Sequence, residues 1–455
     1  MRHFTNLFIF FTLMSLSFAC TQQTDYKQLY EGHVKELSDP KYYGRTDYNG
    51  GITAAADYIR NTIEEIGFEW TNLPFTYNKN TMRGKVEFSV DGKEYIFTED
   101  FIVKEFSTGK HATMDIYHLD DEYLMDKEKF YSHLCSGEFK EKFVAFNFPL
   151  FSDKFGGEGI ELYKDNLTQL AGHVGGLIFK YASNPVNFIS RAVYTLPFPV
   201  IGVGPEFPSD AKQATVNLEN EWIENYNGVN VASFVEGKNG GDEHFIVLAH
   251  YDHLGMIGQG NIFTGANDNA SGVGALLAMM QYYKTHQPET SILFLFLDGE
   301  EANLLGAKDY VQNPYKPLKD VKFVINLDMV GDNGKNIICE VGGGEQGNAG
   351  YELFKKINGE KGYFTSVDQQ PFTDNSDHYY FGINGVPCMY FTIEGDMYQY
   401  YHTPRDTYEN FSSEKFNDLF GLMLDFLKGL MYPCKHLYLN ALPLAYIKKP
   451  RDWHV

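Results

Sequence analysis

Three apolar runs, each the length of a buried strand, end in short clusters of acidic and imidazole side chains. Residues 245–249 lead into His250-Tyr251-Asp252, 292–297 into Asp298-Gly299-Glu300-Glu301, and 323–327 into Asp328. A strand that is apolar at consecutive positions has to bury both of its faces, and the stretches between these runs, 272–286 and 302–312, carry helical spacing. Strands alternating with helices predict an α/β fold, with a mixed sheet as the middle layer of a three-layer α/β/α stack. A last helix is expected over 413–432, where Phe416, Leu419, Phe420, Met423, Phe426 and Leu427 form one apolar stripe.

In an open α/β sheet the loops beyond the carboxyl ends of the strands converge on a crevice. Three strands therefore deliver carboxylates and an imidazole to one place. Two further segments have the same character: Asp268, within Gly265-Ala266-Asn267-Asp268-Asn269-Ala270-Ser271-Gly272, and His402, within Tyr401-His402-Thr403-Pro404-Arg405-Asp406-Thr407. Taken singly, each is ordinary, and Asp268 would serve as a cap for the helix after it. Taken together, two imidazoles and several carboxylates are the donors of a catalytic zinc site, and acidic groups this concentrated repel one another unless cations lie between them.

The remainder of the 455 residues divides by texture. Ile52, Ala56, Ile59, Ile63 and Ile66 recur at helical spacing over 52–68, and Gly67 closes the pattern. From residue 86 the period changes: 86–97 alternates around Asp91-Gly92, a hairpin signal, and short strand-like runs come next at 143–146 and 177–179. We expect 26–80 to form the first part of the main domain, 81–215 an inserted, mainly β domain, and 216–455 the main part.

Charge and N-terminal sequence bound the partners. With 38 Lys plus Arg against 60 Asp plus Glu, the net charge of −22 excludes nucleic acid as an expected partner, because phosphate would be repelled. The apolar run 7–19 is too short to span a bilayer but suits a signal segment, here 1–20. It ends Ser17-Phe18-Ala19-Cys20, which resembles a bacterial lipoprotein signal acylated at Cys20; plain secretion is the other reading. Both predict an exported protein of the periplasm or cell envelope, touching membrane only through that lipid. Cys135, Cys339, Cys388 and Cys434 show no metal-finger spacing and are expected as small buried hydrophobes.

The ligand-bearing segments, in this order, resemble the zinc peptidase family that includes bacterial leucine aminopeptidases, glutamate carboxypeptidase II and the glutaminyl cyclases. The likeness runs from Asn230-Val231-Ala232-Ser233 to the last helix, and 50–68 resembles the family's opening helix. Residues 81–215 resemble, more loosely, a protease-associated domain, through Ala171-Gly172-His173-Val174-Gly175-Gly176-Leu177-Ile178 and Pro199-Val200-Ile201-Gly202-Val203. The resemblance implies a zinc-dependent exopeptidase fold holding two zinc ions bridged by Asp268, with His250 and Asp328 completing one set of ligands and Glu301 and His402 the other. It implies Glu300 as general base, Tyr401 as hydrogen-bond donor to the tetrahedral oxyanion, and Asp252 as acceptor of the second N–H of His250. Asp377, in Ser376-Asp377-His378, matches a segment lining the family's active site, whereas His378 is expected not to be a ligand. The resemblance also implies a peptide substrate, with aminopeptidase activity expected first. Carboxypeptidase, glutaminyl cyclase and a non-catalytic binding protein are the alternatives; the filled ligand set disfavours the last two.

Overall fold

The computed structural model describes residues 24–156, 160–183 and 193–432; the expected signal segment 1–20 with Cys20, and Cys434, lie outside the described residues. The main sheet has eight strands: β1 Thr71–Thr81, β2 Glu221–Val235, β3 His244–His250, β4 Ser291–Leu297, β5 Val321–Leu327, β6 Asn336–Gly342, β7 Ser366–Gln370 and β8 Cys388–Thr392. Their order is β1-β2-β4-β3-β5-β8-β6-β7. The three apolar runs are β3, β4 and β5; β3 lies between the other two and is parallel to both, so the carboxyl ends of all three open on the same edge. β1 pairs antiparallel with β2, β2 with β4 and β6 with β8, while β6 and β7 are parallel, which makes the sheet mixed.

Seven helices complete the layers: α1 Tyr26–Leu37, α2 Gly51–Ile66, α3 Gly272–Tyr283, α4 Leu305–Gln312, α5 Gly344–Lys361, α6 His378–Ile383 and α7 Phe416–Met431. Along β3 the side chains sort by parity. Phe245, Val247 and Ala249 join a core with α1, α2, α3 and α7, while Ile246 and Leu248 pack with Ala307 and Tyr310 of α4 and Phe381 of α6. This is why the runs are apolar at every position. α2 ends at Ile66 because Gly67 turns left-handed at φ 101 and its N–H closes on Ile63 and Glu64. α4 starts at Leu305 rather than 302, since Asn303 and Leu304 have positive φ and the Leu304 and Leu305 N–H groups fold back onto Glu300 and Gly299.

A second eight-stranded sheet is built from Val86–Val90, Lys93–Tyr95, Phe101–Val103, Lys110–His118, Phe139–Asn147, Val174–Lys180, Val200–Val203 and Gln213–Leu218. Asp91 and Gly92, both with positive φ, make the first hairpin turn. Among the described residues the helices of this region are short, the longest being eight residues, as at Phe148–Phe155. A small hairpin, Gly255–Ile257 with Asn261–Phe263, leaves the main sheet just after His250 and buries Leu254, Ile257 and Phe263 in the core of the second sheet. The second sheet thus braces the loop between His250 and Asp268.

Candidate metal centre

His250 closes β3, Glu300 and Glu301 come after β4, and Asp328 after β5. Asp268 sits in the turn Ala266–Ser271 before α3, and it does not cap that helix: the Gly272 N–H donates to Asn269 Oδ1 at 2.8 Å, leaving both Asp268 oxygens free to face the crevice. One of them, Oδ1, is 3.4 Å from His250 Nε2, and the other, Oδ2, is 3.1 Å from His402 Nε2. His250 Nε2 is also 3.3 Å from Asp328 Oδ1, and His402 Nε2 is 3.4 Å from Glu301 Oε2. A tetrahedral zinc with bonds of about 2.0–2.1 Å holds its donors roughly 3.3–3.4 Å apart. These four separations, 3.1–3.4 Å, are close to the donor spacing of two tetrahedra that share Asp268, one for each oxygen, and Glu300 also groups with His250 and Asp328. His250, Asp268, Asp328 and His402 line one cleft and Glu301 sits against His402, itself held in the left-handed region at φ 53.

Behind the donors lies a layer of buried groups that fixes them. The Asp252 carboxylate accepts the N–H of Glu300 at 3.2 Å and of Glu301 at 3.3 Å, tying the loop after β4 to the loop after β3. His250 Nδ1 hydrogen-bonds to the Asp252 carbonyl oxygen at 3.2 Å, with the Asp252 carboxylate at 3.6 Å, so the backbone of Asp252 is the closer acceptor. Ser376 Oγ donates to Asp328 Oδ2 at 2.7 Å. Asp406 accepts from the N–H groups of Asn267 and Asp268 at 2.8 and 2.9 Å. Arg45, buried at 0% exposure, donates to the carbonyls of Leu37, Tyr251, Thr264, Gly265 and Asp268.

The sequence reading missed one imidazole of this site. His253 is buried, its Nδ1 is 2.9 Å from Glu301 Oε1 and 3.7 Å from Asp268 Oδ2, and His253, Asp268 and Glu301 form a compact donor triplet. Its ring lies against Gly265, where an added Cβ would fall 2.5 Å from His253 Cδ2, so Gly265 leaves the space that the imidazole fills. The adjacency His250-Tyr251-Asp252-His253 was the signal available, but β3 ends at His250 and no alternation orients the three residues beyond it. His378 is buried in α6 with Nε2 3.4 Å from Glu340 and takes no part in the cluster.

Electrostatics explain why cations suit this place. Burial alone would raise the Asp268 pKa, yet His253, His250 and His402 together hold it well below the usual carboxylate range. Burial works against charge on His402, but Glu301 and Asp268 push its pKa to about 10. Glu300 goes the other way. Burial lifts its pKa well above normal, and Glu301, Asp377 and Asp328 add to the rise while His250 opposes it. Positive charge is drawn in among Asp268, Glu301 and Asp328, while Glu300 is left as the carboxyl group that readily holds a proton.

A model of Peptidase family M28 matches residues 230–427, the stretch that contains every one of these donors. That stretch is an M28 peptidase domain. The match agrees with the family resemblance of the sequence, and the fold of the described residues agrees with solved structures. An aminopeptidase from Aneurinibacillus sp. strain AM-1 superposes with a TM-score of 0.67 at 18% identity, covering 90% of this chain and 94% of that one. A zinc aminopeptidase from Bacillus subtilis gives 0.64 at 20% identity, covering 90% and 96%. Among curated proteins, the vacuolar membrane protease of Kluyveromyces lactis is 31% identical over 194 residues, 41% of this chain and 20% of that protein. The Candida glabrata vacuolar membrane protease is 24% identical over 197 residues, 42% and 19%. The match to the M28 domain thus spans about a fifth of the length of these relatives.

These yeast relatives correct the expected location. A bacterial periplasm or cell envelope does not follow, since the matching curated proteins are eukaryotic and vacuolar. The physical reason is that a short apolar run leading into polar residues carries no information about which membrane-bounded compartment it serves. Among the described residues no helix is long and apolar enough to cross a membrane.

A cleft of about 230 Å³ opens from the donors of the M28 domain. One wall carries His250, Asp268, Glu300, Asp328, Tyr401 and His402; the other carries Ile338, Glu340, Gln370, Tyr390, Thr392 and Glu394. Tyr401 stacks on His402 with ring centroids 3.8 Å apart, which brings its phenol into the cleft beside the donors. His253→Ala is expected to weaken zinc binding by about 10–100-fold, as loss of a hydrogen-bonding partner of a ligand typically does. Competition with a chromophoric chelator measures it, and an unchanged affinity would reduce His253 to a packing residue.

Proposed function

We propose that the chain is a dizinc aminopeptidase that removes N-terminal residues from peptides. The observation that carries this reading is the pair of tetrahedral donor sets sharing Asp268. His250, Asp268 and Asp328 would hold one ion, and Asp268, Glu301 and His402 the other. Zinc, when bound there, polarises the scissile carbonyl and lowers the pKa of a water molecule. The rest of the chemistry belongs to the chain. Glu300 Oε2 lies 4.0 Å from His250 Nε2 with only 12% of the side chain exposed, placed to take the attacking water's proton and hand it to the leaving amine. Tyr401 donates its hydroxyl proton in a hydrogen bond to the developing oxyanion. Asp252 keeps the general base and its neighbouring ligand in register by binding both backbone N–H groups.

The aminopeptidase choice rests on the charge of the cleft. Among the described residues its lining holds no Lys or Arg to receive a substrate carboxylate, whereas Glu394 stands outside the donor set and favours a free α-ammonium. The similar folds from Aneurinibacillus and Bacillus subtilis, both aminopeptidases, support the same choice. We read 81–215 as an insertion, because β1 and β2 pair antiparallel over Thr71–Ala232 to Thr81–Glu221 and the second sheet lies between them in sequence. The test is twofold. Metal analysis is expected to give two zinc ions per chain, where one would favour a cyclase. Amino-acid anilides are expected to be hydrolysed in a chelator-sensitive way; cleavage confined to N-blocked peptides would overturn the assignment.

A further inference from the structure

The wall of the cleft opposite the donors is one face of the β8–β6–β7 ladder. Registers place Glu340 directly across from Tyr390 on one side and Gln370 on the other, with Ile338 across from Thr392 in the next row. Alternation separates the faces: Ile337, Cys339, Met389 and Phe391 go into the core, so Ile338, Glu340, Tyr390 and Thr392 are turned to the cleft. Glu340 stands at the centre of its row, 4% exposed. It accepts from the Thr373 N–H at 2.7 Å and from Thr373 Oγ1 at 3.1 Å. A carboxylate offers about four acceptor positions, so these bonds leave capacity unused. Among the described residues no Lys or Arg pairs with it. Its basic neighbour is His378, whose Nε2 is 3.4 Å away but off line, leaving both ring nitrogens without a hydrogen-bond partner.

A buried carboxylate on the lining of a ligand cleft, lacking a cationic partner of its own, is a place for the ligand to bring one. We propose that Glu340, flanked by Gln370 and Tyr390, forms a side-chain subsite selecting substrates whose N-terminal residue is cationic, lysine or arginine. The inference rests on the aminopeptidase reading and adds a substrate class to it. Tyr390 supplies an aromatic wall for the alkyl stem, and Gln370 a neutral hydrogen-bonding group at the exposed edge strand.

The experiment uses the zinc-loaded chain and compares lysyl, arginyl, leucyl and glutamyl anilides. Lysyl and arginyl substrates are expected to exceed leucyl by about 10- to 100-fold in kcat/KM, the range for one charge-assisted hydrogen bond. In Glu340→Gln the lysyl-to-leucyl ratio is expected to fall to within about threefold of unity, and Gln370→Glu, at an exposed position of the same row, is expected to raise it. A wild-type preference for leucyl or glutamyl substrates, or a ratio unmoved by Glu340→Gln, overturns the proposal. Inhibition by lysinamide against leucinamide reads the subsite in the wild-type chain without any variant, and equal inhibition also overturns it. If no anilide is cleaved yet lysinamide binds better than leucinamide in a Glu340-dependent way, the aminopeptidase reading falls while the cation subsite stands.

Discussion

Glu300→Gln is expected to lose about 10²–10⁴ in kcat while zinc content stays at the wild-type value. The geometry separates the two properties. Glu301 supplies Oε2 to the His402 pair, whereas Glu300, its neighbour, lines the cleft with Oε2 4.0 Å from His250 Nε2 and groups with His250 and Asp328 rather than with His402. Gln has the same shape and keeps the backbone N–H that Asp252 holds, so the loop after β4 should remain in place. What disappears is the proton-accepting oxygen. Steady-state kinetics on an anilide substrate, paired with metal analysis of the same sample, checks both halves. Turnover at the wild-type rate would show that Glu300 is not the base. Loss of zinc along with activity would make it a ligand, and the division of roles between Glu300 and Glu301 would have to be redrawn.

The converging strand ends, with His250, Glu301 and Asp328 beyond them, were legible in the sequence for a physical reason. Burial on both faces forces β3, β4 and β5 to be apolar at consecutive positions, and the first polar residues after such runs necessarily sit at the sheet edge where ligands bind. Local signals also located α2, through its isoleucine spacing and Gly67, and the hairpin at Asp91-Gly92. The supports of the centre were not legible, because they act across the fold. Arg45 bonds to Tyr251 from 206 positions away and to Asp268 from 223, and no periodicity near Arg45 announces either contact. His253 comes after a strand that has already ended. Asp406 lies in the quoted segment around His402, yet its role as acceptor for the Asn267 and Asp268 N–H groups depends on how two loops meet. The capping alternative for Asp268 was undecidable from spacing, and it is Asn269, one residue on, that holds the helix N–H. Glu340 likewise reads as an unremarked polar residue in β6 until the registers with β7 and β8 put it at the middle of the cleft wall.

Arg45→Met is expected to destabilise the protein by about 3–5 kcal/mol, the range for removing one member of a buried charged network. The guanidinium has five N–H groups, and the five carbonyls of Leu37, Tyr251, Thr264, Gly265 and Asp268 take one each, at 2.5–3.0 Å. Methionine fills much of the volume but leaves those oxygens without donors in a site closed to water. Burial lowers the Arg45 pKa to about 10, with Asp268, Asp406, Asp252 and Glu301 pulling it back up, so the group stays charged at neutral pH and faces the acidic side of the centre. Its loss therefore acts twice, on the fold and on the electrostatic balance around Asp268. Denaturant unfolding of the variant should show the drop in midpoint, and chelator competition should show zinc held at least about tenfold more weakly, since three of the five carbonyls belong to the turn that carries Asp268 or the residues leading into it. Arg45→Lys distinguishes charge from geometry. Lysine restores the positive charge but brings three donors from one nitrogen, and cannot span carbonyls contributed by three separate segments. It is expected to recover less than half of the lost stability; full recovery would mean that charge alone is what the site requires, and a methionine variant within about 1 kcal/mol of wild type would remove Arg45 from the account of how the metal loop is held.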